Sequence, residues 1–226
     1  MTYDLLIGDR SYSSWSLRGW LLFAKFDVDV VVHDTRLSVP QFKEDLKSFA
    51  PARTVPVMRL PEGGVVMDSI AMAETLAERH PDKGYWPKDA NARALARGMV
   101  AEMHSGYSAL RTACPMNLRQ SFVDFPVPDD VATDVARIET LWGMARDHAT
   151  AGPWLFGEYS TADAFFAPVA ARLAGYGITV NAEATRYITQ TISDPVFLQW
   201  RRRGLQDEPM SNYVLPFAAG TWPGPD

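Results

Sequence analysis

The hydrophobic residues of the first 80 positions follow two alternating patterns. Short apolar runs rich in β-branched residues are typical of buried strands, whereas apolar residues three and four positions apart indicate helices. The turn Glu62-Gly63-Gly64 between two apolar runs predicts a β-hairpin. The predicted strands are residues 3–7, 28–33, 55–60 and 65–67, and the predicted helices are residues 14–26, 39–49 and 69–79. This order predicts a thioredoxin-like α/β domain.

The pattern changes after residue 80. Residues 80–91 hold two prolines and a glycine and have no periodicity, which is typical of a linker between domains. The predicted helices beyond it are residues 92–113, 128–150, 160–176, 182–192 and 195–203, followed by a tail without periodicity. We therefore expect an N-terminal thioredoxin-like domain over 1–80, a linker over 81–90 and a C-terminal all-helical bundle domain over 91–226.

Composition and charge narrow the possible functions. The 226 residues are 47% hydrophobic, the net charge is −5, and the one basic run is residues 201–203, which argues against a nucleic-acid partner. Cys114 is the single cysteine, so the chain has no internal disulfide, and the four histidines lack metal-ligand spacing. Apolar stretches are too short to span a membrane, and Asp4 stands where a signal peptide needs positive charge. We expect a cytoplasmic protein with no metal and no membrane partner.

Thr54-Val55-Pro56 is the first motif that suggests chemistry. A proline cannot donate a hydrogen bond within a sheet, so it requires an edge or a bend. A cis peptide bond at Pro56 would free the Val55 main chain to pair with an extended ligand. The tripeptide alone favours the other alternative, a trans proline at a sheet edge.

Asp68-Ser69 opens a predicted helix. The free N–H groups of a first turn favour an anion, so Ser69 with an N–H could hold a carboxylate while Asp68 holds an ammonium group. Together these residues suit the head group of an amino acid. Simple capping of the helix by Asp and Ser is the alternative.

Four serines, Ser11, Ser13, Ser14 and Ser16, lie where the chain passes from the first strand into the first helix. A hydroxyl at this position can donate a hydrogen bond to a bound thiolate. Lowering a thiol pKa by two units requires roughly 2.7 kcal/mol, the scale of one or two charge-assisted hydrogen bonds. Helix capping again explains the other serines.

These motifs, in this order, resemble the cytosolic glutathione transferase family, with a serine-type, bacterial-like N-terminal motif similar to the tau and zeta classes. The resemblance implies the glutathione transferase fold, a cis Pro56 and a Val55 main chain that pairs with the cysteinyl unit of glutathione. It also implies that Asp68 and Ser69 hold the γ-glutamyl end, with Asp in place of the commoner Glu or Gln. The likeness spans nearly the whole chain. Its N-terminal part consists of Ser11…Arg18, Ala50-Pro51, Thr54-Val55-Pro56-Val57-Met58 and Asp68-Ser69-Ile70-Ala71…Leu76.

A capping box in the C-terminal half supports the resemblance. Ser160 and Asp163 have the spacing in which two side chains satisfy each other's main-chain N–H groups at a helix start. This pair matches a folding motif of the family's central C-terminal helix, so we expect it to contribute to stability and not to chemistry.

Three serines remain candidates for the catalytic hydroxyl. Ser11 stands seven residues before Arg18, as in serine-type members, whereas Ser13 and Ser14 lie nearer the predicted helix start. Tyr12 could replace the tyrosine of other classes, but two serines follow it directly, which fits that pattern poorly.

The second substrate is expected between the two domains. Met103, His104, Tyr107 and Arg111 fall along one predicted helix, and Trp15 could form the opposite wall. Such a set is also typical of a helix core, but His104 and Arg111 are costly to bury unpaired. Cys114, which precedes a proline, is expected to be structural.

These observations and the resemblance predict a glutathione transferase that uses glutathione as co-substrate in detoxification, and the resemblance implies a homodimer. The glutathione thiolate would attack a small hydrophobic electrophile. The alternatives are a glutathione-dependent isomerase or dehalogenase, and a non-catalytic protein that uses the fold for binding.

Overall fold

A computed structural model describes residues 2–211 and 213–225. The N-terminal part is built on a four-stranded sheet in the order β2-β1-β3-β4, in which β1 and β2 are parallel and the other neighbours antiparallel. Leu5 pairs with Val32 on one side and with Met58 on the other. The strands are β1 (Tyr3–Ile7), β2 (Val30–Asp34), β3 (Val57–Arg59) and β4 (Val65–Val66).

Helices cover this sheet and form most of the later part of the chain. In the N-terminal part they are α1 (Ser14–Ala24), α2 (Gln41–Lys47) and α3 (Ser69–Arg79). The later helices are α4 (Ala90–Ser105), α5 (Ser108–Ala113), α6 (Asp129–Asp147), α7 (Thr161–Gly175), α8 (Ala182–Ile192) and α9 (Pro195–Gln206). This arrangement confirms the predicted fold class, a thioredoxin-like domain followed by a helical bundle. The division at residues 81–90 stays a prediction.

Helix α1 joins the two parts because it packs against α3 on one side and against α7 and α9 on the other. Lys25, at its end, forms a 2.6 Å ion pair with Asp194, the N-cap of α9. The hydroxyl of Tyr85 donates to the Leu22 carbonyl at 2.7 Å. These contacts fix the end of α1 against α9 and against the segment that precedes α4.

Two features differ from the sequence-based expectation. The predicted helix over 92–113 is interrupted, because Gly106 takes an extended conformation and Tyr107 has a φ of 55°, in the left-handed region that no α-helix allows. In the part predicted to be all helical, β5 (Ser121–Val123) pairs antiparallel with β6 (Ala218–Gly220). The tail after α9 therefore returns along the bundle.

The capping box at the start of α7 is confirmed. The Ser160 main-chain N–H donates to Asp163 Oδ2 at 2.8 Å, and the Ser160 hydroxyl donates to the same oxygen at 3.0 Å. Asp163 also accepts from the main-chain N–H of Leu155 at 3.0 Å. Complete burial raises the pKa of the Asp163 carboxyl to about 6, so these three donors offset a real desolvation cost.

We expect Ser160→Ala to lower the free energy of unfolding by about 1 kcal/mol, because it removes one donor to the buried Asp163 carboxylate. Urea denaturation measures this loss. Thr189→Ala is the control, since its exposed hydroxyl bonds only to a carbonyl of its own helix, and it should stay within about 0.5 kcal/mol of the parent. Equal stability of the parent and Ser160→Ala would contradict the role of the box.

Candidate active site

A cavity of about 460 Å³ opens where α1, the loop before β3, the start of α3 and α4 meet. The loop contributes Thr54, Val55 and Pro56, and α3 contributes Asp68 and Ser69. The remaining lining residues are Ser13, Trp15, Leu37, Phe42, Met67 and His104. The cavity therefore brings together all five residues predicted to bind glutathione with one of the candidate serines.

The loop before β3 presents main chain to this cavity. The Val55–Pro56 peptide bond is cis, which confirms the implication of the resemblance, and Ala50–Pro51 is also cis. A trans proline, which the tripeptide alone favoured, is wrong for Pro56. The Val55 N–H and C=O make no hydrogen bond to any residue that the structure describes. An extended ligand can thus pair with both groups as it would with a strand edge.

Asp68 and Ser69 occupy the start of α3. Asp68 is its N-cap and accepts from the main-chain N–H of Ile70 at 2.7 Å through Oδ1. Its other oxygen lies 3.4 Å from His104 Nε2. Ser69 is only 1% exposed, and its hydroxyl oxygen has no partner among the described residues. A buried polar atom without a partner is costly, so this hydroxyl is suited to a ligand group.

His104 lies on α4 between Asp68 and Trp15. Its ring meets the Trp15 ring edge-on at 4.8 Å. Burial lowers the pKa of His104, an effect that the Asp68 carboxylate opposes and that Arg18 and Arg111 add to. His104 therefore tends to be neutral at pH 7, which leaves the Asp68 charge available to a cationic group.

The three candidate serines have different environments. The Ser11 hydroxyl donates to the Gly204 carbonyl at 3.0 Å, and Ser11 does not line the cavity. Ser13 is the N-cap of α1, and its hydroxyl donates to Ser16 Oγ at 2.8 Å. Ser14 accepts from Arg172 Nη2 at 3.3 Å. Among the three, only Ser13 lines the cavity beside the Val55 loop.

The first turn of α1 is also suited to an anion. The main-chain N–H groups of Ser14 and Trp15 find no acceptor within the described part of the chain. Free N–H groups and the helix dipole both stabilise negative charge at such an end. The Ser13 hydroxyl lies at the same end. A thiolate placed there is stabilised without a metal ion.

A second cavity of about 510 Å³ adjoins the first. The two share Ser13, Trp15 and Leu37, so the start of α1 forms the boundary between them. The other lining residues of the second cavity are Tyr12, Ser14, Ser108, Arg111, Thr112, Pro115, Met116, Arg172 and Tyr213. A ligand group at Ser13 can therefore meet a second molecule across Trp15.

The predicted substrate residues are divided between these cavities and the core. Trp15 lines both cavities, His104 the first and Arg111 the second. Met103 has no exposed surface, and the hydroxyl of Tyr107 donates to Glu102 at 3.0 Å. The structure places Met103 and Tyr107 in the core, away from both cavities.

Several lining residues were missed by the sequence analysis. Arg172 had a signal, because it is the one charged residue in the apolar second half of α7. Tyr213 had none, since it follows the last helix in a segment without periodicity, yet its ring lies 4.4 Å from that of Tyr12. Leu37 and Met67 come from loops, whose orientation no periodicity defines, and Phe42 lies on the short helix α2, where its spacing had suggested only a place on the apolar face.

The single cysteine of the chain, Cys114, lines neither of these cavities. Cys114 is fully buried, and burial raises its pKa to about 12, so it is a structural thiol. Over residues 2–211 and 213–225, no group of three or more His, Cys, Asp or Glu side chains could hold a metal ion. The helices within those ranges are all too short or too polar to cross a bilayer.

Comparisons with known proteins find a matching family model and structures of the same fold. Residues 12–79 match the family model described as the glutathione S-transferase N-terminal domain. A Burkholderia BGR1 glutathione transferase homologue, solved with bound glutathione, has a TM-score of 0.68 at 20% identity, covering 92% of this chain and all of that one. A maleylacetoacetate isomerase from Anaeromyxobacter dehalogenans 2CP-1 has a TM-score of 0.63 at 21% identity, covering 95% and 97%. Both show that the described chain has the same fold.

A curated relative is similar in sequence. A probable maleylacetoacetate isomerase of Caenorhabditis elegans is 36% identical over 101 residues, which is 45% of this chain and 46% of that protein. The chain thus spans about half the length of this relative.

The close packing of α1 against the loop that contains Val55 and Pro56 can be tested by substitution. A Cβ at Gly19 would lie 2.7 Å from both Cβ and Cγ of Pro56. We expect Gly19→Ala to lower the free energy of unfolding by about 1–3 kcal/mol, because α1 must move away from the loop. Denaturant titration measures the loss.

Gly98→Ala is the matched control, because Gly98 also lies inside a helix and a Cβ there would meet nothing within 4 Å. It should raise stability by up to about 1 kcal/mol. The same response to both substitutions would show that the Gly19–Pro56 contact does not limit the approach of the two elements.

Proposed function

We propose that this protein is a glutathione transferase, which binds glutathione in the first cavity and activates its thiol for attack on an electrophile in the second. The observation that carries the proposal is the set of unsatisfied groups in one cavity: the Val55 main chain, the buried Ser69 hydroxyl and the free first turn of α1. Each is matched by a group of an extended γ-glutamyl tripeptide.

Each part of glutathione has a partner of suitable chemistry in this proposal. The cysteinyl amide pairs with the N–H and C=O of Val55. The γ-glutamyl carboxylate accepts from Ser69 and the start of α3, and its ammonium group meets the Asp68 carboxylate. The thiol then lies at the start of α1, beside Ser13.

Ser13 is the proposed donor to the thiolate. Its hydroxyl donates to Ser16 in the structure, but each hydroxyl can both donate and accept. When Ser16 donates to Ser13 instead, the Ser13 proton is free to stabilise the sulfur. The Ser14 and Trp15 N–H groups add to this effect, and the thiolate attacks across Trp15.

A glutathione-dependent isomerase is the second candidate, favoured by the maleylacetoacetate isomerases among the relatives. The same thiolate would add to the substrate and leave again. The two activities are separated by the fate of glutathione, which a transferase consumes and an isomerase returns. A protein that binds glutathione but turns over neither kind of substrate would match the third, non-catalytic alternative. The family resemblance also supports a homodimer, which sedimentation can test.

We expect Ser13→Ala to raise the pKa of the thiol of bound glutathione by about one to two units and to lower kcat/KM about 10- to 100-fold. The affinity for glutathione should change little, because the Val55 and Asp68 contacts remain. The ultraviolet absorbance of the thiolate as a function of pH measures the pKa directly.

Ser13→Asp separates this role from helix capping. Aspartate also caps a helix, but its carboxylate repels the thiolate, so activity should fall at least as far as in Ser13→Ala. Ser11→Ala is the control, since its hydroxyl is bonded to Gly204. Full activity of Ser13→Asp would assign the serine to capping alone.

Asp68→Asn tests the ammonium contact, because asparagine retains the N-cap of α3 and loses the charge. The parent protein should bind glutathione about tenfold or more tightly than glutaryl-cysteinyl-glycine, which lacks the amino group. Asp68→Asn should bind both peptides with equal, weak affinity in calorimetry.

Glu74→Gln removes a second carboxylate from α3, one that pairs with Arg97 outside the cavity. It should retain the preference for glutathione. If Asp68→Asn retained that preference as well, the ammonium group would lie elsewhere.

A further inference from the structure

The second cavity carries an uncompensated positive charge, although the chain as a whole has a net charge of −5. Its lining includes two arginines and no acidic residue. Arginine remains charged at neutral pH even when its surroundings are apolar. The partners of these two arginines, and of a third nearby, show whether the protein itself neutralises them.

Arg172 is fully buried and bonds only to neutral atoms. Its Nε donates to the Cys114 carbonyl at 2.9 Å, Nη1 to the Pro168 carbonyl at 3.2 Å and Nη2 to Ser14 Oγ at 3.3 Å. Burial lowers its pKa to about 10, so the guanidinium is still charged at neutral pH. These contacts fix its orientation without cancelling its charge.

Arg111 is half-buried on the cavity wall. Its Nη1 donates to the carbonyls of His104 and Gly106, at 3.2 and 3.4 Å, while Nε and Nη2 lack a hydrogen-bond partner within the described residues. The guanidinium carbon lies 4.9 Å from the centre of the Trp15 ring. Free N–H groups of this kind match the two oxygens of a carboxylate.

Arg18 adds a third charge behind Trp15. Its guanidinium carbon lies 4.1 Å from the centre of the same ring, and none of its three nitrogens has a partner within the part of the chain that the structure describes. Burial, together with the charges of Arg172 and Arg111, holds its pKa well below the usual range. Asp68 opposes this effect but is already close to His104.

We propose that the second cavity selects electrophiles that carry a carboxylate, bound by Arg111 and Arg172 beside Ser14. This inference rests on the proposed function, because it names the class of the second substrate. It replaces the hydrophobic substrate expected from the family resemblance. Three buried or half-buried guanidinium groups without an acidic partner are costly to maintain, and an anionic substrate supplies the missing charge while Trp15 and Met116 contact its apolar part.

Two electrophilic acceptors of the thiolate that differ in charge test the role of a substrate carboxylate: 4-chloro-3-nitrobenzoate and its neutral methyl ester. In both, the thiolate sulfur forms a bond to the carbon that bears chlorine. The carbon–chlorine bond breaks, chloride leaves with the electron pair, and the thiol proton passes to the buffer. We expect the protein to use the acid with a kcat/KM about tenfold or more above that for the ester, after correction for the uncatalysed rates.

Arg111→Met removes the charge and keeps an apolar chain against Trp15. It should lower the ratio of kcat/KM for acid over ester by about tenfold, with no change in the affinity for glutathione. Arg186→Met is the charge-matched control, because Arg186 is exposed on α8 and lines neither cavity, and it should leave the ratio as in the parent. Equal use of acid and ester by the parent, or an unchanged ratio in Arg111→Met, would overturn the proposal.

Calorimetry with the same two acceptors and S-methylglutathione, which has no free thiol, measures binding without turnover. The acid should bind more tightly than the ester in the parent and not in Arg111→Met. If the chain binds the acid selectively but turns over neither acceptor, the result supports the anion site and contradicts the proposed transferase activity. If it turns over the ester better than the acid, the activity stands and the anion site fails. Weaker glutathione binding in Arg111→Met would assign the arginine to glutathione and also overturn the proposal.

Discussion

The contact between α1 and the loop before β3 determines where both cavities lie. Gly19 has no side chain, so α1 approaches Pro56 and Met72 more closely than any other residue would allow. This approach brings the N-cap Ser13 beside the Val55 main chain, and it brings Trp15 between the two cavities. The position of the proposed thiolate is thus a consequence of backbone packing, which a rigid sheet and a buried helix maintain better than a surface loop could.

Electrostatics then give the two cavities different preferences. The first has a carboxylate, Asp68, near a free helix start, so it suits a ligand that carries both signs of charge. The second has arginines and no acid. Trp15 separates them, and the guanidinium groups of Arg18 and Arg111 both lie over its ring. Positive charge near the start of α1 would stabilise the proposed thiolate on one side and the proposed anionic substrate on the other, because electrostatic attraction decreases slowly with distance where solvent is excluded.

The sequence predicted those features that depend on local pattern. Periodicity located β1 and α1, and capping residues located α3 and α7, because these signals lie within a few residues of one another. The sequence did not predict features that depend on contacts between residues far apart in the chain. The break at Tyr107 and the pairing of β5 with β6 depend on tertiary packing. Ser11 had the expected spacing from Arg18, yet its hydroxyl is bonded to Gly204, 193 positions away in the chain.

The family model covers the part of the proposed site that would bind glutathione and does not cover the part that would bind the second substrate. Residues 12–79, which match the N-terminal domain family, contain Ser13, Val55, Asp68 and Ser69. Arg111 and Arg172 lie outside that range, on α5 and α7. One family model therefore supports glutathione as ligand and gives no information about the second substrate. The negative charge proposed for that substrate rests instead on the guanidinium groups of this chain, because a buried charge without a partner is costly in any fold.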